Sequence, residues 1–273
     1  MNWGYALSGV DQEDEASIAF FGVTVVRPNN PEAWYSLGVS LDRLRDCDKA
    51  LEALDRAGEL DSMFAAAWSE RGLVLGNLDR AQEALQSQET ALSLDAEDPD
   101  YWDNKGVALA QLERYKEAIV AFDKALALDS RHANAWSNKG SALHIVGRLK
   151  DSIPAFEQAL ALDPSKAMAW YNKGIVLFAL KRYQDALVTF ERALVLEDED
   201  GHFWYWKANA LFALKRYEEA LKAIEEAIFW GEARGSKWAA MYWGAKAECL
   251  AKLGHKTEAE EARKQGKALE VAK

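Results

Sequence analysis

Residues 133–166 read ANAWSNKGSALHIVGRLKDSIPAFEQALALDPSK, and this stretch decides the fold. Its skeleton is Trp136, Gly140, Leu143, then Ser152, Phe156, Ala159, Leu162 and Asp163-Pro164. Move 34 residues upstream and the skeleton returns as Trp102, Gly106, Leu109, Ala118, Phe122, Ala125 and Leu128. Move 34 downstream and it is Trp170, Gly174, Leu177, Ala186, Phe190, Ala193 and Leu196. Steps of three and four, Trp136 to Gly140 to Leu143 and Ser152 to Phe156 to Ala159, put residues on one helix face. One period therefore holds two helices of about 13 residues and two short turns. They are called A and B below, and positions run from 1 to 34 within a repeat. Small residues at positions 8, 20 and 27 allow A and B to approach closely. The Trp at position 4 and the aromatic at position 24 fill the space left.

This pattern resembles the tetratricopeptide repeat, with Trp, Gly, Ala, Phe and Ala at the family's positions and in register along nearly the whole chain. One departure is systematic, because position 7 is mostly Lys here and usually Leu in the family. The resemblance implies an all-α, right-handed superhelical solenoid whose function is to bind proteins or peptides. It also implies that A helices line a concave groove into which positions 2, 5, 6, 9, 12 and 13 look.

The expected organisation starts with a truncated repeat over 1–30, a partial helix A carrying Gly4 and Leu7 followed by a helix B. Six repeats follow over 31–234. Trp204 to Trp243 is 39 residues rather than 34, so five extra residues are expected at 235–239. A seventh repeat with a polar capping helix fills 240–273. Asn30-Pro31 and Asp98-Pro99 are helix starts, a side-chain cap followed by Pro at the first helical position. Pro154 is expected near the first turn of its helix B, where a missing N–H is tolerated.

Composition narrows the function. Of 273 residues, 33 are Lys or Arg and 44 Asp or Glu, a net charge of −11 with no basic cluster. That argues against nucleic acid and anionic membranes. The longest apolar run, 18–26, is too short to span a bilayer. It follows acidic residues, unlike a signal peptide. Cys47 and Cys249 sit far apart in sequence and read as reduced thiols of a cytoplasmic protein. No nucleotide-binding, metalloprotease, redox or esterase motif is present. His132, His144, His202 and His255 are scattered singly, and 198–201 fails the spacing of a calcium loop. No catalytic residue, metal or cofactor is expected.

On the groove positions two features stand out. Asn104, Asn138 and Asn172 occupy position 6 in three successive repeats. A side-chain amide can donate to and accept from a peptide group of any sequence. This is similar to the asparagine ladder of some members of the family. The second feature is aromatic: Tyr171, Ile175 and Phe178, then His202, Tyr205, Asn209 and Phe212. Such a floor suits apolar anchors of a partner. The groove nearer the N-terminus (Ser69, Asp103, Gln111) is more polar. The family's clamp for chaperone tails is not reproduced: its positions hold Ser69, Leu73, Asn104, Asn134 and Asn138, and only Asn104 matches.

Two further expectations concern charge and association. Asp95, Asp129, Asp163 and Glu197 stand ten residues before Lys105, Lys139, Lys173 and Lys207, and Asp61 precedes Arg71 likewise. This spacing predicts inter-repeat ion pairs, broken at Lys246, where Gly231 replaces the acid. Ile18, Phe21 and Val25 sit where other repeats are polar, which predicts a self-association surface. Beside the binding scaffold stand two alternatives: a substrate-docking or regulatory part of a larger enzyme, and a self-associating structural array.

Overall fold

A computed structural model describes residues 13–233 and 235–271. Within them the chain is a succession of fifteen helices, with no strand among the described residues. The first, α1 (Glu13–Val26), is a B helix; Gly4 and Leu7, expected on its A partner, lie outside the described residues. A and B then alternate: α2 (Pro31–Arg43), α3 (Cys47–Leu60), α4 (Ala65–Asn77), α5 (Ala81–Leu94), α6 (Pro99–Gln111), α7 (Tyr115–Leu128) and α8 (Ala133–Ile145). They continue as α9 (Leu149–Leu162), α10 (Ala167–Ala179), α11 (Tyr183–Leu196), α12 (Gly201–Ala213), α13 (Tyr217–Ala233), α14 (Ala239–Leu253) and α15 (Lys256–Val271). Chain contacts divide the molecule into two units, one ending at Val146 and one beginning at Gly147.

Local chemistry sets the helix ends. The side chains of Asn30, Asp98 and Asp200 accept from the backbone N–H two residues on and cap α2, α6 and α12. His132 caps α8 through Nδ1, which accepts from Ala135 N at 3.1 Å. Each of the seven A-to-B turns passes through a left-handed residue at position 15, and only Gly147 and Gly254 of the seven are glycines. Arg45, Asp79, Glu113, Lys181 and Lys215 adopt φ near +60° despite their side chains. The acids at position 31 shape the B-to-A turns: Asp61, Asp95, Asp129 and Asp163 each accept from the N–H two residues on, at 2.8–3.0 Å.

Packing follows the small-and-large pattern. In the first unit, a side chain on Gly106 would collide with the Phe122 ring; in the second, one on Gly174 would collide with Phe190. Phe122, Phe156 and Phe190 are fully buried. Repeat 2 differs: Gln88 takes the aromatic slot opposite Gly72, also fully buried. Its amide is satisfied at both ends, Nε2 donating to the Ser69 carbonyl at 2.7 Å and Oε1 accepting from Ser69 Oγ at 3.0 Å. Within each unit, successive A helices also touch one another, α4 with α6 and α6 with α8 in the first, α10 with α12 in the second. Successive B helices make no comparable contacts among the described residues, so each layer of A helices is the tighter one.

Two details depart from expectation or from the common pattern. α9 starts at Leu149, so Pro154 is its sixth residue, in the second turn and not near the first. The carbonyl of Lys150 thereby lacks its intrahelical N–H, and the helix continues because the Pro side is exposed to solvent. α13 runs 17 residues where the other complete B helices before it run 14. Gly231 stands where an acid ends those helices, and its bare Cα leaves room for Tyr242, which is 1% exposed.

Candidate functional site

The A-helix face differs between the units. In the first, Asn104 and Asn138 are half-buried, and each turns its amide sideways to position 5 of the preceding repeat. Asn104 Nδ2 donates to Ser69 Oγ at 3.1 Å, which joins it to the buried Gln88 pair. Asn138 Nδ2 donates to the buried Asp103 carboxylate at 3.0 and 3.3 Å. These bonds tie neighbouring A helices together and fix the amide orientation.

In the second unit the same face is aromatic. Tyr171, Asn172, Ile175 and Phe178 on α10 and His202, Tyr205, Asn209 and Phe212 on α12 are all half-buried. Tyr171 stacks on Phe203 with ring centres 4.7 Å apart. Phe178 meets Trp206 edge-on at 5.3 Å, and Trp206 in turn neighbours Tyr205 at 5.9 Å. Tyr205 lies 5.4 Å from Tyr242, and His202 lies 5.2 Å from Trp238 and 5.9 Å from Tyr242. Phe212 stands apart from this chain of rings, against Tyr217 at 5.2 Å. Four members, Phe203, Trp206, Trp238 and Tyr242, had escaped notice in the sequence. Trp206 occupies the position-6 slot held by Asn in the three preceding repeats, and that break in the Asn row was its signal. Trp238 lies within the five extra residues and Tyr242 just after them, where the 34-residue register is interrupted.

Charge is confined to the edge of this face, where Asp200 and Lys237 act on His202. No Asp, Glu, Lys or Arg occupies an inner position from Met168 to Ala213. Burial pushes the Tyr171 and Tyr242 phenols up to about 12, so both hydroxyls stay protonated. Burial also pushes the His202 imidazole down, favouring its neutral form, and its Nδ1 is buried with no hydrogen-bond partner among the described residues. The arrangement offers ring faces, hydroxyls and amides, and no group of His, Cys, Asp and Glu suited to a metal ion occurs among the described residues.

The Lys row corrects the sequence expectation. Lys105, Lys139, Lys173 and Lys207 pair with Glu89, Asp123, Glu157 and Glu191, at 3.0, 2.6, 3.0 and 3.6 Å. The acid is sixteen residues back in helix B, not ten back in the turn; Arg71 to Asp55 at 2.5 Å follows the same rule. The position-31 acids mostly serve the turns instead. Lys246 does not break the pattern, since it reaches Glu225 at 2.9 Å, the five inserted residues lengthening sixteen to twenty-one. Each cation also lies 5.1–6.0 Å from the centre of the Trp three residues before it. That Trp does more than fill space: in Trp34, Trp68, Trp102, Trp136, Trp170 and Trp204, Nε1 donates to the carbonyl six residues earlier. The Lys row is thus engaged with the preceding B helix and adds no charge to the A-helix face.

With this geometry in hand, comparison with known proteins is informative. Family models described as tetratricopeptide repeat match residues 19–62, 35–101 and 146–197, residues 177–242, and residues 99–132. The chain belongs to the tetratricopeptide repeat family, and its fold is the all-α helical-repeat solenoid of that family. Among solved structures it is similar to YrrB, described as a TPR protein with an unusual peptide-binding site, at 26% identity over 73% of this chain and 99% of that one, TM-score 0.53. It is similar in fold to a chain of the APC/C hetero-tetramer Cut9-Hcn1, at 17% identity over 93% of this chain and 46% of that one, TM-score 0.72. A tetratricopeptide repeat protein from Parabacteroides merdae ATCC 43184 also shares the fold, at 16% identity over 88% of this chain and 93% of that one, TM-score 0.63. No curated protein is detectably similar in sequence. No helix among the described residues is long and apolar enough to cross a membrane.

Proposed function

We propose that the chain is a non-catalytic interaction scaffold of the cytoplasm, and that the A-helix face of its second unit binds an uncharged partner segment with apolar anchors. The observation that carries this reading is the pairing of half-exposed rings (Tyr171, Phe178, Tyr205, Trp206) with the absence of charge at the inner positions of α10 and α12, from Met168 to Ala213. Rings in a water-accessible concave face gain most from a partner's aliphatic or aromatic side chain. Asn172 and Asn209, on the same face, are assigned to the partner's main chain. In the first unit Asn104 and Asn138 are assigned the same role, through the amide atoms not turned to Ser69 and Asp103. The peptide-binding site described for YrrB is consistent with such a use of the fold.

The test is selection of segments from a random peptide library on the full chain, followed by affinity measurements across salt. Enriched segments are expected to carry aromatic or aliphatic anchors, with affinity changing less than about twofold between 50 and 500 mM NaCl. Selection of acidic segments, or a tenfold loss with salt, would assign recognition to charge and contradict the reading.

A further inference from the structure

A groove that the second unit fills with its own rings stands open at the equivalent place in the first. In the second unit Trp206 of α12 reaches toward α10. Its indole stacks on Phe190 with centres 6.4 Å apart and meets Phe178 edge-on at 5.3 Å. Its N–H, a donor only, bonds to the Tyr171 hydroxyl. Two periods earlier in the chain these four residues are Asn138, Phe122, Ala110 and Asp103. Phe122 keeps the place of Phe190, but Asn138 and Ala110 are too small to replace an indole and a phenyl ring. The space remains as a cavity of about 300 Å³ on the A-helix face of α6 and α8, with Phe122 among its walls. None of the side chains that line it is charged, whereas the outer grooves at Glu89–Lys105 and Glu191–Lys207 carry both signs.

We propose that this cavity of the first unit binds an aromatic side chain of a partner, and that the side chain it takes best is the indole of tryptophan. The fold itself shows what fits, since an indole occupies the equivalent place on the equivalent Phe in the second unit. Hydrogen bonding then selects among rings. Two amides border the cavity, and both direct their nitrogen into the protein: Asn138 Nδ2 donates to Asp103 at 3.0 Å and Gln111 Nε2 to the Gly76 carbonyl at 3.2 Å. Each leaves an oxygen for a ligand. An indole brings an apolar body and one donor, a phenyl ring brings no donor, and a phenol brings a smaller body. A Lys or Arg also brings donors, but its charge would lose water among walls that hold no carboxylate. The site lies beyond the ring face assigned to the partner's anchors above, and neither depends on the other.

The experiment is a titration of the full chain with N-acetyl-tryptophanamide, followed by amide shifts in NMR spectra. Amides of α6 and α8 around Ala110 and Ala142 are expected to shift, with a Kd of about 1 mM for so small a probe. N-acetyl-3-benzothienylalaninamide, which keeps the ring shape and lacks the N–H, is expected to bind about three- to tenfold more weakly. Ala110→Phe installs the ring that Phe178 provides in the second unit. It is expected to abolish these shifts with an unchanged circular dichroism spectrum, because Ala110 is half-exposed and the same frame holds Phe at that position. Ala110→Leu, a smaller filler, is expected to weaken binding about threefold or more. Tyr205→Ala, in the second unit, is expected to leave the α6 and α8 shifts as they are. No shift on α6 and α8 at about 10 mM probe would overturn the inference, as would wild-type binding by both Ala110 variants. A response confined to α10 and α12 would overturn this site and leave the ring face of the second unit standing. Equal affinity for the benzothienyl probe would overturn the choice of indole.

Discussion

The two units use one helix-pair frame and finish it in opposite ways. The first puts amide and hydroxyl groups into and beside its core: Gln88 in the slot under Gly72, Ser69 bonded to it, Asn104 bonded to Ser69, Asn138 bonded to Asp103. The amide slot is confined to repeat 2, since Phe122 already fills it in repeat 3; the second unit keeps a ring there, Phe190, and puts Tyr171, Tyr205 and Trp206 on the A-helix face. The outer side is shared, with the same Trp, cation and acid at every repeat from the second on. The family frame therefore depends on positions 4, 8, 20 and 27, while positions 5, 6 and 24 are free to decide what each unit offers a partner.

The comparison breaks most visibly if the first unit's solution is moved into the second. Phe190→Gln would place a buried amide opposite Gly174, where position 5 is Tyr171 and no Ser stands ready to accept and donate. Lost packing together with an unsatisfied amide is expected to cost about 3–5 kcal/mol in urea unfolding. A cost below about 1 kcal/mol would mean that the slot does not discriminate rings from amides.

A smaller effect sharpens the comparison at the B helices. Pro154 in α9 faces no counterpart in α7, where the equivalent residue is Val120. Pro154→Ala is expected to stabilise the chain by roughly 1–3 kcal/mol, since the Lys150 carbonyl regains its N–H. Thermal unfolding checks this, and an unchanged midpoint would show that α9 has already absorbed the Pro.

The smallest effect should be equal in both units. Lys139→Met and Lys173→Met keep an apolar stem over Trp136 and Trp170 and remove the charge facing Asp123 and Glu157. The acids are about half-exposed, so each change is expected to cost roughly 0–1 kcal/mol and to vanish by about 1 M NaCl. A large loss in one unit alone would show that the outer side is not shared.

The helices were legible because the period is strict and each slot repeats. Trp136, Gly140 and Phe156 specify one helix pair, and their recurrence at 34 residues specifies the array. The ion pairs were misread because counting ten residues back follows the chain through the turn. The Lys side chain instead reaches back to the body of the preceding B helix, and the acid in the turn is held by backbone N–H groups. The sequence did contain the better answer: Asp55, Glu89, Asp123, Glu157, Glu191 and Glu225 all occupy position 25, and Phe21 occupies it where Leu37 replaces the cation. Tyr171, Phe178 and Tyr205 were visible as a row, whereas Trp206 and Tyr242 depend on contacts between repeats that no single period displays. The sideways bonds of Asn104 and Asn138 were equally invisible, since each partner lies 35 residues away.

The central claim is that the ring-lined face of the second unit seats the partner. The measurement that meets it most directly is the affinity of one selected segment for wild type, Tyr205→Ala and Gln158→Ala. Tyr205 lies on the A-helix face of α12, and Gln158 is exposed on α9, a B helix. Tyr205→Ala is expected to weaken binding at least tenfold, about 1.4 kcal/mol or more, and Gln158→Ala to leave it unchanged. Equal losses for the two variants, or an unaffected Tyr205→Ala, would contradict the account.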